Sequence, residues 1–323
     1  MRRVTDNLPR AKLNSARFGT LGTGTDAGTL GFKGNVEINE RGQVAACSFT
    51  NTTINSVTGT PTLDPFLWDK EVGLLDLGTL GGTSGCAINL NNHGQVVGYS
   101  NVAGDLTLHP FLWATHGPMQ DLGTLGGTFG FASWANEAGE VVGSASNQGD
   151  QAIHGFLSKN GVMIDLGALN PLPNSDAEWI NSSEQVVGKA ASFDFSTQIA
   201  VLWENGNPAV DLNTLVSPGS NLQLNEARNI NDRGEISGGA VDSDGNRRAF
   251  LLIPCDENHP GIEGCDYSMV EESATATGST MPTTTTVKRG LSPDAIRQLM
   301  QAAGRRSKLS YRGAPEMTWK NLV

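Results

Sequence analysis

The sequence predicts an all-β fold, a five-bladed β-propeller of four-stranded antiparallel blades, and three observations carry that expectation. A motif opening on an acidic residue recurs as DLGTLGG at Asp76 and Asp121, DLGALNP at Asp165 and DLNTLVS at Asp211, at intervals of 45, 44 and 46 residues; a weaker RFGTLGT begins at Arg17. Between copies the landmarks keep one order: an Asn-x-x-Gly turn, an apolar V-V-G run and an aromatic Phe-Leu-Trp. Glycine supplies 40 of 323 residues and charged residues only 17%, which suits turn-rich strands better than amphipathic helices. A repeat of about 45 residues with four short strands has the length and strand count of a propeller blade.

The first hairpin of each unit is centred on the Asn turn: INERGQVAA from Ile38, LNNHGQVVG from Leu90, ANEAGEVVG from Ala135, INSSEQVVG from Ile180 and INDRGEISG from Ile230. This makes Asn39, Asn91, Asn136, Asn181 and Asn231 equivalent. Asn at the first turn position can bond the backbone two residues on, and Gly at the fourth suits a type I turn. The third strand is PFLW at 65–68 and 110–113, GFLS at 155–158, AVLW at 200–203 and AFLL at 249–252. Polar turns such as Asn160-Gly161 and Asn205-Gly206 then lead into the strand that ends at the acidic residue, giving a second hairpin.

The fifth unit stops at AFLLIPCD without a fourth strand, while a spare one lies in SARFGTLG near the amino end. Ala16–Thr20 is therefore expected to pair with the strand at Arg248–Leu252 and close the ring, which removes a free sheet edge. The expected organisation is an extension over 1–14, the propeller over 15–256, a Cys-bracketed loop over 257–270 and a tail over 271–323. That tail is expected to be mostly disordered: EESATATGSTMPTTTTV reads as a Thr-rich linker, and LSPDAIRQLMQAAGRRSK as one short helix capped by Ser292 and Pro293. Ile296, Leu299, Met300 and Ala303 share a face of that helix, and its shortness favours a segment folded back or frayed over a docking helix.

DLGTLGG could be taken for a phosphate loop, because glycines let N–H groups crowd around an anion. A phosphate cradle is needed once and precedes a helix, whereas this motif recurs and precedes strand. It reads instead as the exit from an outer strand, with Gly at positive φ and Asp accepting backbone N–H bonds.

Taken together, DLGTLGG, INxxGQVVG and the third strand, which begins DPF, HPF, HGF, IAV and RAF in the five units, resemble the HAF repeat family, described as probable extracellular repeats of bacteria. The resemblance covers residues 17–256 and implies a repeat fold and an extracellular or cell-surface location; it implies no activity. The family's His-Ala-Phe is nowhere complete in this chain.

Composition excludes some classes. Net charge is −11, and residues 1–256 hold 14 Lys and Arg against 26 Asp and Glu, so a nucleic-acid partner is not expected. No apolar run is long enough for a membrane span, and MRRVTDNLPRAKLNSA has no apolar stretch after its positive start, so it does not read as a signal peptide. Cys255 and Cys265 bracket CDENHPGIEGC and read as a disulfide or as plain thiols; a metal site with His259 would fit no zinc spacing. Cys47 and Cys86 fall in strand-like segments and are expected to be small buried hydrophobes.

Candidate chemistry is sparse. Five-bladed propellers include glycosidases with carboxylates at inner strand ends, and Glu37, Asp176, Glu178 and Glu226 lie near such strands. No G-x-S-x-G is present, and His93, His109, His116, His154 and His259 show no metal spacing. Trp68, Trp113 and Trp203 recur at one position and are expected to pack units together. Trp134 and Trp179 are equivalent near the inner strand, where core packing competes with stacking on a sugar. The expected function is a noncatalytic secreted or surface-associated propeller, a monomer without cofactor or metal, that binds carbohydrate or protein through Trp134, Trp179, Glu37 and Glu178. A glycosidase-like hydrolase and a purely structural surface repeat are the alternatives.

Overall fold

The computed structural model describes residues 36–261 apart from 116, 217–219 and 257. It is an all-β chain of antiparallel meanders, and one 3-10 turn at Leu212–Leu215 is its one helical element among the described residues. The first unit comprises β1 (Glu37–Ile38), β2 (Val44–Phe49), β3 (Leu63–Asp69) and β4 (Gly73–Asp76). The second comprises β5 (Gly81–Leu90), β6 (Val96–Val102), β7 (Leu108–Trp113) and β8 (Gln120–Asp121), and the third β9 (Gly126–Ala135), β10 (Val141–Asn147), β11 (Ile153–Lys159) and β12 (Val162–Gly167). The fourth holds β13 (Asn174–Ile180), β14 (Val186–Ala191), β15 (Gln198–Trp203) and β16 (Val210–Asp211). The last has β17 (Leu222–Ile230), β18 (Ile236–Asp242) and β19 (Arg247–Leu252), with no fourth strand among the described residues.

Within every unit the strands pair in chain order and antiparallel. Between units the arrangement departs from isolated blades. Parallel bridges at Leu63↔Ser84 and Leu108↔Phe129 join the first three units into one curled twelve-stranded sheet, while β13–β16 and β17–β19 form separate sheets.

The turn at the head of each unit is held by its Asn. Asn91 Oδ1 accepts the N–H groups of His93 and Gln95, and its Nδ2 donates to Gln95 Oε1 at 2.6 Å and to the Asn136 carbonyl at 2.9 Å. Asn39 reaches the Asn91 carbonyl in the same way, Asn136 reaches that of Asn181, and Asn181 that of Asn231. Five turns are thereby laced into a ladder. Its far end is open: Asn231 Nδ2 bonds Glu235 within its own turn, and among the described residues no hydrogen bond or strand pairing joins the fifth unit to the first. The proposed partner of β19, Ala16–Thr20, lies outside the described residues.

The DLG motif behaves as outer-strand punctuation. Asp76, Asp121 and Asp165 each accept the N–H of the glycine two residues on, and Gly78, Gly123 and Gly167 sit at φ between 67° and 74°. The glycine of V-V-G has another cause. Each inner strand carries a register shift opposite it, so a Cβ at Gly98, Gly143, Gly188 or Gly238 would stand 1.9–2.1 Å from an inner-strand carbonyl oxygen.

Apolar side chains then bury the unit faces against one another. Trp113 packs with Ala45 and Leu67 of the first unit, Trp203 with Val142 and Leu157 of the third, and Phe250 with Val187 and Leu202 of the fourth. This is the inter-unit packing expected of the recurrent tryptophans. On the far face of the fifth unit, Leu251 is 61% exposed, although the equivalent Leu67 and Leu202 are 4% and 8% exposed.

Cys47 and Cys86 are buried as expected, but they are not free hydrophobes. They form a disulfide with Cα atoms 4.9 Å apart, linking β2 to β5 across the first two units. The reason is the face-to-face packing of those strands, which brings together residues 39 apart in sequence. Cys255 is also disulfide-bonded, and Cys265, its expected partner, lies outside the described residues, as do the loop beyond residue 261 and the whole tail.

Two outcomes are expected. Gly188→Ala should cost about 1–3 kcal/mol in urea unfolding, because the inner strand must shift to admit a methyl group. Cys47→Ser with Cys86→Ser should cost about 4 kcal/mol on the loop-entropy scale for a closure of this length, read as a lowered midpoint in the same assay.

Candidate functional site

A cavity of about 480 Å³ opens on the turn face of the third, fourth and fifth units. It is placed by the repeat itself: strands β9, β13 and β17 run side by side and deliver the residue two before each ladder Asn to a common row. That row reads Glu37, Asn89, Trp134, Trp179 and Asn229. Trp134 and Trp179 stack with ring centroids 3.6 Å apart and planes 14° apart. Both are half-buried and line the cavity with Asn229, Asn231, Glu235, Ser237 and Leu251.

The mostly apolar wall carries acidic groups at Glu137, Asp232 and Glu235. Asp232 accepts the N–H of Ser182, and that bond holds its carboxyl below the usual range. Glu235 is also lowered, first by the Asn231 amide. Among the described residues no Lys or Arg lines the space, while Arg233, outside the lining, pairs with Glu235 at 3.3 Å. His259 anchors one rim: its buried ring bonds Asp256 through Nδ1 at 2.7 Å and meets Glu235 through Nε2 at 3.4 Å.

The four residues expected to bind a ligand are thus divided. Trp134 and Trp179 are brought together at the cavity. Glu178 is not among its lining residues; it is buried, and Lys189 Nζ lies 3.1 Å from it, 3.2 Å from Asp176 and 3.8 Å from Glu226. Within this cluster the Lys189–Glu226 pair ties the fourth unit to the fifth by charge, and the Ser144 hydroxyl of the third donates to Asp176. A glycosidase needs two carboxyl groups facing a substrate, one able to donate a proton; here a lysine occupies the space between them. Glu37 sits at the first unit, its carboxyl raised by burial, far along the row from the tryptophans.

No family model matches the chain, and a search of curated proteins found no relative.

Asn229, Asn231, Asp232, Glu235 and Ser237 were not expected in the site. The signal available in the sequence was the register: Asn229 is the fifth-unit equivalent of the two tryptophans, and Ser237 stands where the other units carry Val or Ala.

The remaining histidines have structural partners. His109 bonds Asp121 at 2.8 Å and His154 bonds Asp165 at 2.9 Å, each tying a third strand to the fourth. Burial pushes the Asp165 carboxyl up, but the His154 and Gly167 N–H bonds outweigh it and leave it below the usual range. The first unit has Asp64 in place of the histidine, facing Asp76. Burial, and then the charge of Asp76, raise Asp64 to about 6, and its Oδ1 has no hydrogen-bond partner. His93 is exposed and meets Glu137, and His116 lies outside the described residues.

A folded-state value above the unfolded one means that the fold favours protonated Asp64. Its penalty is absent below pH ~4, grows as pH rises and is complete above pH ~6. Asp64→Asn should therefore raise the melting temperature at pH ~7.5, and the gain over the parent should vanish near pH ~3.5. Asp64→His should do the same at neutral pH by rebuilding the His–Asp pair.

Proposed function

We propose that this chain is a noncatalytic binding module of an oxidising, extracytoplasmic compartment, taking a carbohydrate or protein ligand on the face formed by its Asn turns. The observation that carries the reading is the cavity beside the stacked Trp134 and Trp179, a concave space with an aromatic floor and converging amide and carboxyl groups. The carboxylates that would serve a hydrolase are instead engaged with Lys189.

Two bonded cysteine sites support the location, since disulfides persist mainly outside the reducing cytosol. The resemblance of the repeat to the HAF family points the same way.

The finer architecture proposed is a five-bladed ring. It is supported by five units of one register and by a fifth unit with no fourth strand among the described residues. Closure by Ala16–Thr20 would add a strand to the free edge of β19.

Binding is tested on an immobilised glycan array, with arylglycoside turnover measured on the same sample. Selective glycan capture without turnover is the expected result, and turnover would favour the hydrolase. Deleting residues 1–22 should lower the melting temperature and promote aggregation if the ring closes as proposed; unchanged stability would leave an open array of units.

A further inference from the structure

We propose that the fifth-unit side of Trp179 is a subsite for one pyranose ring of a neutral glycan, seated where the repeat would place a third indole. The inference rests on the binding-module reading and specifies its ligand class and its position.

The row of equivalent residues builds an aromatic stack and then stops. Trp134 covers one face of Trp179 at 3.6 Å. The next unit offers Asn229, an exposed and much smaller side chain, and the cavity opens at that step. Trp179 also packs against the apolar cluster around Ile230 and Phe250, and a ring lying on the part of its indole that borders the cavity would extend the stack. An aromatic face offers a sugar the apolar C–H side of its ring, while the hydroxyls at the ring edge still need partners.

Those partners surround the step. The Asn229 amide, the Ser237 hydroxyl and the carboxylates of Asp232 and Glu235 border it, and Leu251 supplies an apolar wall. Donors and acceptors are mixed, as hydroxyl groups require. Among the described lining residues, Glu137, Asp232 and Glu235 carry negative charge and no Lys or Arg is present, although Arg233, outside the lining, lies 3.3 Å from Glu235; the excess of carboxylates opposes a phosphate or a uronic acid. The volume of about 480 Å³ is sufficient for a sugar ring with its neighbour but small for a folded protein segment.

Cellohexaose, maltohexaose, chitohexaose and hexagalacturonate are titrated against the full chain, with tryptophan fluorescence and calorimetry as readouts. At least one neutral hexasaccharide should bind and perturb the indole emission, and hexagalacturonate should not. Asn229→Trp should fill the step, keep the circular dichroism and melting temperature of the parent, and weaken binding at least tenfold; Trp179→Ala should weaken it similarly. If no neutral hexasaccharide binds, the subsite and the carbohydrate arm of the function both fail, and a protein ligand remains. If binding survives Asn229→Trp, the subsite alone is wrong. Equal binding of hexagalacturonate would also overturn it.

Discussion

An asparagine with all four of its side-chain hydrogen-bond positions filled is the constraint on which this structure depends. In a buried turn an unpaired amide would cost several kcal/mol. Asn91, Asn136 and Asn181 avoid that by giving Oδ1 to two N–H groups of their own turn, one Nδ2 hydrogen to the side chain four residues on and the other to the next unit. Shaping the turn and stacking the units are therefore one interaction. A turn of the wrong shape would withdraw the Nδ2 group from its neighbour. A misplaced neighbour would strand a buried donor.

The glycine and aspartate pattern follows from the same tight repeat. Thr83 and Thr128 bind through both N–H and hydroxyl to Asp105 and Asp150, and a Cβ at Gly82 or Gly127 would collide with those carboxylates. DLGTLGGT is thus conserved between two units of this chain because its last residues clamp a neighbouring loop, while its first residues end an outer strand. Where a unit departs from the pattern, the clamp is replaced. The fourth unit turns Leu212–Leu215 into a 3-10 turn, with Asp211 as its cap.

Departures from the repeat also create what is chemically distinct in the molecule. A regular array repeats one surface, so a site requires a unit that differs. Asn229 in place of Trp and Ser237 in place of Val or Ala fall together in the fifth unit, beside the cavity there. Asp64 in place of His leaves a carboxyl pair in the first. The buried cluster around Lys189 shows the opposite use of asymmetry, with Asp176, Glu178 and Glu226 spent on holding units together.

The sequence by itself determined what is local and recurrent. The β class, the hairpins at Asn39 through Asn231 and the strand exits at Asp76 through Asp165 follow from bonds made within a few residues, and such bonds leave the same letters in every unit. The tryptophan pair was legible as an equivalence, but not as a stack. Which faces meet was decided only by the tertiary structure. The Cys47–Cys86 bridge, the 3.6 Å contact of Trp134 with Trp179 and the parallel bridges joining three units all connect residues 21–45 positions apart. Their partners are chosen by the stacking of one unit on the next, and that geometry has no letter of its own in the chain.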